Sequence, residues 1–264
     1  MACVAIVLAG CSGSQELQQS SPQDAFQQGM ENYEAGDYDD AAEAFQAVLN
    51  FGQTVENADD AQFYLARSYQ ADGRYEMAAT EYRRFVQLYP NDQRAADAEY
   101  GRALSFYELS PQYQLDQTNT ERAISAFLLY MERYPNHERV SEAEEKVTEL
   151  REKMARKQYD AGELYERRDM YRAAAYTYEN VFDQYPDTPV ADEALLAAIR
   201  TYIAYADMSV EERQAERYQE AVAQYERLTQ VFPDSPLLDE AEELHAEAQE
   251  RLDELEAQLA EHDE

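Results

Sequence analysis

Small and aromatic residues recur along this chain at helical spacing, and the spacing breaks at the same kind of place each time. The pattern reads Ala, three residues, an aromatic, seven residues, Pro. It occurs as Ala78, Tyr82, Pro90, then as Ala123, Phe127, Pro135. It returns as Ala174, Tyr178, Pro186 and as Ala221, Tyr225, Pro233. An aromatic stands directly before each Pro: Tyr89, Tyr134, Tyr185 and Phe232. An earlier copy, Ala41 and Phe45, lacks the Pro. A Tyr lies three residues before the Ala in Tyr38, Tyr75, Tyr171 and Tyr218, with Thr120 in its place once. Residues three and four apart share one face of a helix. The Ala lets a second helix come close and the aromatic fills the space beside it. Pro cannot continue the helix, so a turn follows. Asn91, Asn136, Asp187 and Asp234 come next, residue types that suit turns and helix N-caps.

A first helix precedes each of these, with its own small and aromatic pairs: Gly29 and Tyr33, Ala66 and Tyr69, Ala103 and Tyr107, Gly162 and Tyr165. Gly36-Asp37-Tyr38 and Gly73-Arg74-Tyr75 mark turns between the helices of a pair. Repeated helix pairs of this kind resemble the tetratricopeptide repeat, a 34-residue helix–turn–helix. The chain carries five copies, over 23–51, 58–90, 95–135, 155–186 and 190–233. Two insertions are expected, at 109–119 and 207–217, with extra helix over 141–154 and a second helix around Tyr159. The predicted fold is all-α: a superhelical stack of about five helix pairs with a C-terminal capping helix. That last helix is predicted over 236–259, capped by Asp234 or Ser235, with Pro236 in its first turn. Leu238, Ala241, Leu244 or His245, Ala248, Leu252, Leu255 and Leu259 form its apolar stripe. The stripe covers the last repeat, or it offers a seam to a partner helix.

Composition agrees with helix. Gly and Pro number 8 each, against 22 Tyr, 9 Phe and no Trp. The charge narrows the partners: 55 acidic and 22 basic residues give −33. Such a surface repels phosphate, which excludes nucleic acid and electrostatic docking to anionic lipid. Only Lys146, Lys153 and Lys157 are lysines, and an acidic, lysine-poor surface suits saline surroundings. Enzyme chemistry and cofactors are not expected. His137, His245 and His262 are scattered, both cysteines precede the first helix, and no Gly-rich phosphate loop occurs. Asp37-Asp39-Asp40 and Asp59-Asp60 lack the order of a Ca²⁺ loop and read as solvated turns. No metal site follows.

The N-terminus reads as an address. Residues 4–8 are apolar, too few to span a bilayer. Leu8-Ala9-Gly10-Cys11 resembles the bacterial lipobox, which implies cleavage before Cys11 and a lipid on it. Residues 1–10 are then a signal peptide and 11–22 a polar tether. No basic residue precedes the apolar run, so translation is expected to start upstream or the start is truncated. Ser12, rather than Asp, after the Cys implies sorting to the outer membrane by the same resemblance.

Lipobox, tether and five helix pairs together resemble the BamD family of outer-membrane β-barrel assembly lipoproteins. The stretch 143–188, with Tyr159-Asp160-Ala161-Gly162-Glu163-Leu164-Tyr165 and then Tyr185-Pro186-Asp187-Thr188, follows the family's order. The resemblance covers about 8–235. It implies a Gram-negative periplasmic location, with unfolded barrel substrates received by repeats 1–3 (23–135). The barrel subunit BamA then docks on repeats 4–5 (136–233), and 234–264 is a separate helix. Tetratricopeptide stacks present the first helix of each pair on the concave side. The register puts Phe26, Met30 and Tyr33 there, then Phe63, Arg67 and Gln70, then Tyr100, Leu104 and Tyr107. Aromatic anchors suit extended peptides, and packing between helices is the competing role for each. A tetratricopeptide lipoprotein of pilus, secretin or division machinery is the alternative reading.

Overall fold

A computed structural model describes residues 21–262. Cys3, Cys11, the apolar N-terminal run and the side chain of Leu259 lie outside what it describes. The described residues form eleven helices and no strand. They are α1 (Pro22–Ala35), α2 (Tyr38–Asn50), α3 (Ala58–Ala71), α4 (Tyr75–Leu88), α5 (Ala95–Glu108) and α6 (Thr118–Arg133). Then come α7 (Val140–Glu166), α8 (Tyr171–Gln184), α9 (Ala191–Asp207), α10 (Glu211–Val231) and α11 (Leu238–His262). The chain divides into two compact units, Met1–Ser105 and Phe106–Glu264.

Close approach of helices sets the packing. A Cβ on Gly29 would lie 2.7 Å from the Phe45 ring, one on Gly101 2.5 Å from Tyr82, and one on Gly162 2.6 Å from Tyr178. These rings are buried in the cores of their units. The recurrent Ala, at 41, 78, 123, 174 and 221, is fully buried each time. The tyrosines that reach through to a polar edge are satisfied there. Tyr178 donates to Glu166 at 2.8 Å and Tyr202 to Glu179 at 2.9 Å. Tyr218 donates to Asp207. Burial first, and the carboxylates second, push all three phenols far above their ordinary value.

The aromatic–Pro turn is built the same way four times. Tyr89, Tyr134, Tyr185 and Phe232 have φ of −126, −128, −133 and −123° with ψ of 57, 56, 51 and 61°. The following Pro bars these residues from the α region. Each N–H still closes the last helical turn, and each C=O accepts from the residue three on: Asp92, His137, Thr188 or Ser235. Those four residues carry the polar work of the turn. Asp92 accepts from the Arg94 backbone at 2.8 Å, and Thr188 donates to the Tyr185 carbonyl at 2.8 Å. Ser235 accepts from the Leu237 N–H at 3.2 Å, while His137 Nδ1 lies 2.7 Å from the Tyr130 hydroxyl. The Asn and Asp directly after Pro are turn residues and do not cap. The next helices start four residues after them, and α7 and α9 have no side-chain cap.

Within pairs, Gly36 (φ 87°) and Gly73 (φ 76°) take the left-handed conformation that closes α1 and α3. Asp169 (φ 57°) does so at the end of α7, where sequence reading finds no glycine. The expected break between 154 and 159 is absent: α7 runs unbroken for 27 residues. Its stretch before Gly162 holds neither Pro nor Gly, and Glu, Lys, Arg and Gln favour helix. The insertion near 207–217 lengthens α10 from Glu211 onward. The insertion after α5 is an ordered loop. Gln117 donates to the Gln112 carbonyl at 2.9 Å and to that of Leu115 at 3.0 Å, and Lys153 donates to Ser110 at 2.9 Å. α11 starts at Leu238 rather than Pro236. Ala241, Ala248 and Leu252 are buried in the core shared with α9 and α10, and Leu238, Leu244 and Leu255 pack against it. The stripe is thus a cover for the last helix pair as far as Leu255. No helix among the described residues is long and apolar enough to cross a membrane.

Of the acids read as solvated turns, Asp37, Asp39 and Asp40 do stay exposed, whereas Asp59 and Asp60 are clamped. Arg94 binds Asp59 and Asp92 at 2.9 and 2.8 Å, binds Asp60 as well, and lies 5.3 Å from the ring centres of both Phe63 and Phe85. Arg74 binds Asp39 at 2.6 Å. In unit 2, Arg151 binds Asp187 at 2.5 Å.

Gly→Ala within a helix normally stabilises by about 0.5–1 kcal/mol. Gly162→Ala should do the opposite, because the Tyr178 ring has no room to retreat. We expect a loss of about 1–3 kcal/mol from overpacking, read as a lower urea midpoint. In a Tyr178→Leu background the same substitution should cost little. Additive losses would show that the ring is not what the glycine accommodates.

Candidate protein-binding site

In unit 1 the first helices bring part of the expected face together. Tyr33 meets Tyr38 edge-on at 5.5 Å and Tyr64 at 5.3 Å. Arg67 is exposed and its guanidinium lies 5.4 Å from the Tyr33 ring centre and 5.7 Å from that of Tyr64. Burial raises the Tyr33 phenol, and the Arg67 charge pulls it part of the way back. Phe26 packs 5.8 Å from Phe45, and Met30 lies half-buried beside the same core. Phe26, Met30, Tyr33 and Arg67 therefore share one surface, together with Tyr64. Sequence reading missed Tyr64, although it stands three residues before Arg67 and so on the same side of α3.

Three expected residues serve the interior. Phe63 is 8% exposed and Tyr100 2%. Phe63 packs 5.2 Å from Phe85 under the Arg94 clamp. Neither ring has surface to offer a ligand. Gln70 is half-buried, accepting from the Tyr82 hydroxyl at 2.7 Å and donating to the Gly101 carbonyl at 3.2 Å. Its amide is used in joining α3, α4 and α5. Leu104 is half-buried. Tyr107 belongs to unit 2, where it donates to Glu149 at 2.7 Å with Lys146 4.3 Å from its ring centre.

Unit 2 holds a groove that the repeat register did not predict. It has a volume of about 550 Å³ and lies among the start of α8, the end of α9 and α10. Met170, Tyr176 and Met208 line it while remaining 48, 52 and 69% exposed. Tyr205 forms another wall, with the Arg217 guanidinium 3.8 Å from its ring centre. Arg172 lies 5.9 Å from the Tyr176 ring. Large apolar side chains left this exposed and grouped in one groove mark an interaction site. The signal for it in the sequence is slight. Tyr176 sits out of phase with Ala174 and Tyr178, and Met208 falls in the insertion. Among the described residues no group of His, Cys, Asp and Glu is arranged to hold a metal ion.

Comparison with known proteins gives a family. The YfiO family model, described as outer membrane lipoprotein, matches residues 18–216. Outer membrane protein assembly factor BamD of Caulobacter vibrioides is 24% identical over 205 residues, covering 76% of this chain and 67% of the relative. BamD of Rickettsia prowazekii is 25% identical over 202 residues, covering 76% of this chain and 80% of the relative. The crystal structure of a TPR repeats protein from Bacteroides fragilis superposes with a TM-score of 0.50 at 14% identity, over 88% of this chain and 99% of that one. That likeness shows the tetratricopeptide fold.

The Glu149 carboxylate, burial and Glu149's charge push the Tyr107 phenol up to about 12. A phenol raised in this way contributes stability below the unfolded value of about 10 and loses it as pH climbs through the folded value. Glu149→Gln should move one tyrosine's ultraviolet titration step down toward the ordinary range. An unchanged alkaline titration would show that the Tyr107–Glu149 bond does not hold the proton.

Proposed function

The chain belongs to the YfiO family of outer membrane lipoproteins, whose matched relatives are BamD assembly factors, and from this we propose a scaffold for outer-membrane protein assembly. It acts by binding and has no catalytic step. A lipid on Cys11, which the lipobox-like Leu8-Ala9-Gly10-Cys11 implies, holds it to the periplasmic face of the outer membrane. Repeats 1–3 receive unfolded barrel proteins on the face of Phe26, Met30, Tyr33 and Arg67. Repeats 4–5 dock a BamA-like barrel subunit. The family match over residues 18–216 carries this reading. The partly exposed aromatic surface in each unit supports it, because extended segments are held by ring anchors and short polar contacts.

Affinity purification of the tagged, lipidated chain from solubilised native membranes tests the reading. A barrel subunit should follow it in 1:1 ratio. A secretin, pilus or division protein in its place would overturn the assembly role. Tyr33→Ala with Arg67→Ala should weaken capture of an unfolded barrel segment by about tenfold, or ~1.4 kcal/mol. Recovery of the barrel subunit should stay the same.

A further inference from the structure

One turn of unit 1 is built unlike the others. Four turns between helix pairs place an aromatic before Pro and pack it, as Tyr89 does 5.4 Å from Phe85 and Phe232 does 6.0 Å from Phe182. After α2 the chain reads Phe51-Gly52-Gln53, with no Pro. Gly52 takes a φ of 125°, and Phe51 stands 49% exposed. Among the described residues it is the one phenylalanine left exposed. Its surroundings are uncharged: twelve successive residues, 44–55, carry no charge in a chain that is 29% charged. The acids that border the turn are engaged. Glu56 accepts from Gln23 at 3.0 Å, and Arg94 binds Asp59, Asp60 and Asp92. The Gln23–Glu56 bond also sets the turn against the start of α1, where Ser21 caps the helix by accepting from the Asp24 N–H at 3.1 Å. Only ten residues stand between Cys11 and Pro22, a reach on the order of 40 Å even at full extension. The opposite end of the unit lies about 20 Å further off, one helix length away. It carries Asp37, Asp39, Asp40 and Asp72 at its turns and helix starts.

We propose that this end of unit 1 rests on the membrane surface, with the Phe51 ring entering the lipid headgroup layer. The proposal rests on the reading that a lipid on Cys11 anchors the chain. A single ring is too small to hold a protein on a bilayer by itself. Kept within reach of the surface by the anchor, it meets lipid at high effective concentration, and a weak contact becomes populated. Charge selects which end approaches. A chain of −33 is repelled by anionic headgroups, and the uncharged turn is the part of unit 1 near the anchor that escapes this repulsion. The contact turns the starts of α1 and α3 toward the bilayer and gives the unit a fixed approach to it.

The chain contains no Trp, so a single substitution supplies the reporter. Phe51→Trp places it on the turn. Met77→Trp places it at the start of α4, on the opposite end of the unit. Both positions are exposed, so either ring is accommodated without repacking the core. Each full, lipidated chain is put on vesicles of phosphatidylcholine, a neutral lipid, with and without bromine on the acyl chains. Phe51→Trp should emit further to the blue than Met77→Trp, and brominated lipid should quench it several-fold more. If the chain floats with the vesicles and both variants are quenched equally little, the contact is overturned while the anchor stands. If the Phe51→Trp emission shifts only once a barrel subunit is added, the turn meets protein rather than lipid, and the contact is again overturned. If the chain does not float with the vesicles, the anchor reading falls and the proposal with it.

Discussion

The close approach of a helix backbone to a buried aromatic ring is the contact on which the rest of this structure depends. Phe45, Tyr82 and Tyr178 each press against a glycine on a neighbouring helix, at a distance that a single methyl group would violate. The ring is fixed on one side by the glycine and on the other by the Ala four residues before it. Helix spacing is then set by two small residues and one large one, repeated. A tyrosine does this better than a phenylalanine where its hydroxyl reaches the edge of the pair. Tyr178 and Tyr82 find Glu166 and Gln70 there, and the bond fixes the rotation of the ring as well as its depth. Many local packing units of this kind, with few long-range demands, are what make a helical repeat fold tolerant of insertions.

That logic was legible in the sequence because each unit is written within about forty residues and written several times. The Ala–aromatic–Pro spacing located every second helix, and the structure places Ala41, Ala78, Ala123, Ala174 and Ala221 fully buried. What sequence reading lost were features that depend on one copy alone. Asp169 does the work of a glycine at the end of α7, because a short polar side chain tolerates the left-handed conformation. The continuity of α7 was hidden by the repeat itself: a register that expects a new helix near 155 finds one, whether or not the earlier helix stops. The role of the post-proline residue was misplaced by one position, because sequence shows that a turn occurs and not which side chain closes it.

The binding faces were less legible, and for a physical reason. Phe63 and Tyr100 occupy the helix positions that point toward a ligand in an idealised register. Here the Arg94 clamp and the α4 ring stack draw Phe63 inward. A residue's periodicity says which side of its own helix it occupies. It does not say how far the next helix overlaps that side. Conversely, Tyr64, Tyr176 and Met208 carry no repeat signature, since positions left half-buried or exposed are free of the packing demands that create the pattern.

The charge distribution ties the two levels together. With carboxylates in such excess, the distribution of arginines becomes the informative variable. Most are spent on clamps such as Arg94 with Asp59, Asp60 and Asp92, or Arg227 with Glu179 and Asp183. These clamps tie acidic helix starts and faces to neighbouring elements and remove local repulsion that would otherwise oppose folding. Arg67 in unit 1 and Arg172 and Arg217 in unit 2 lie near tyrosine rings instead, 5.4, 5.9 and 3.8 Å from the ring centres. A cation close to a ring face is attracted by the ring where it makes no contact with a carboxylate. In a chain this acidic the missing partner is not for want of supply.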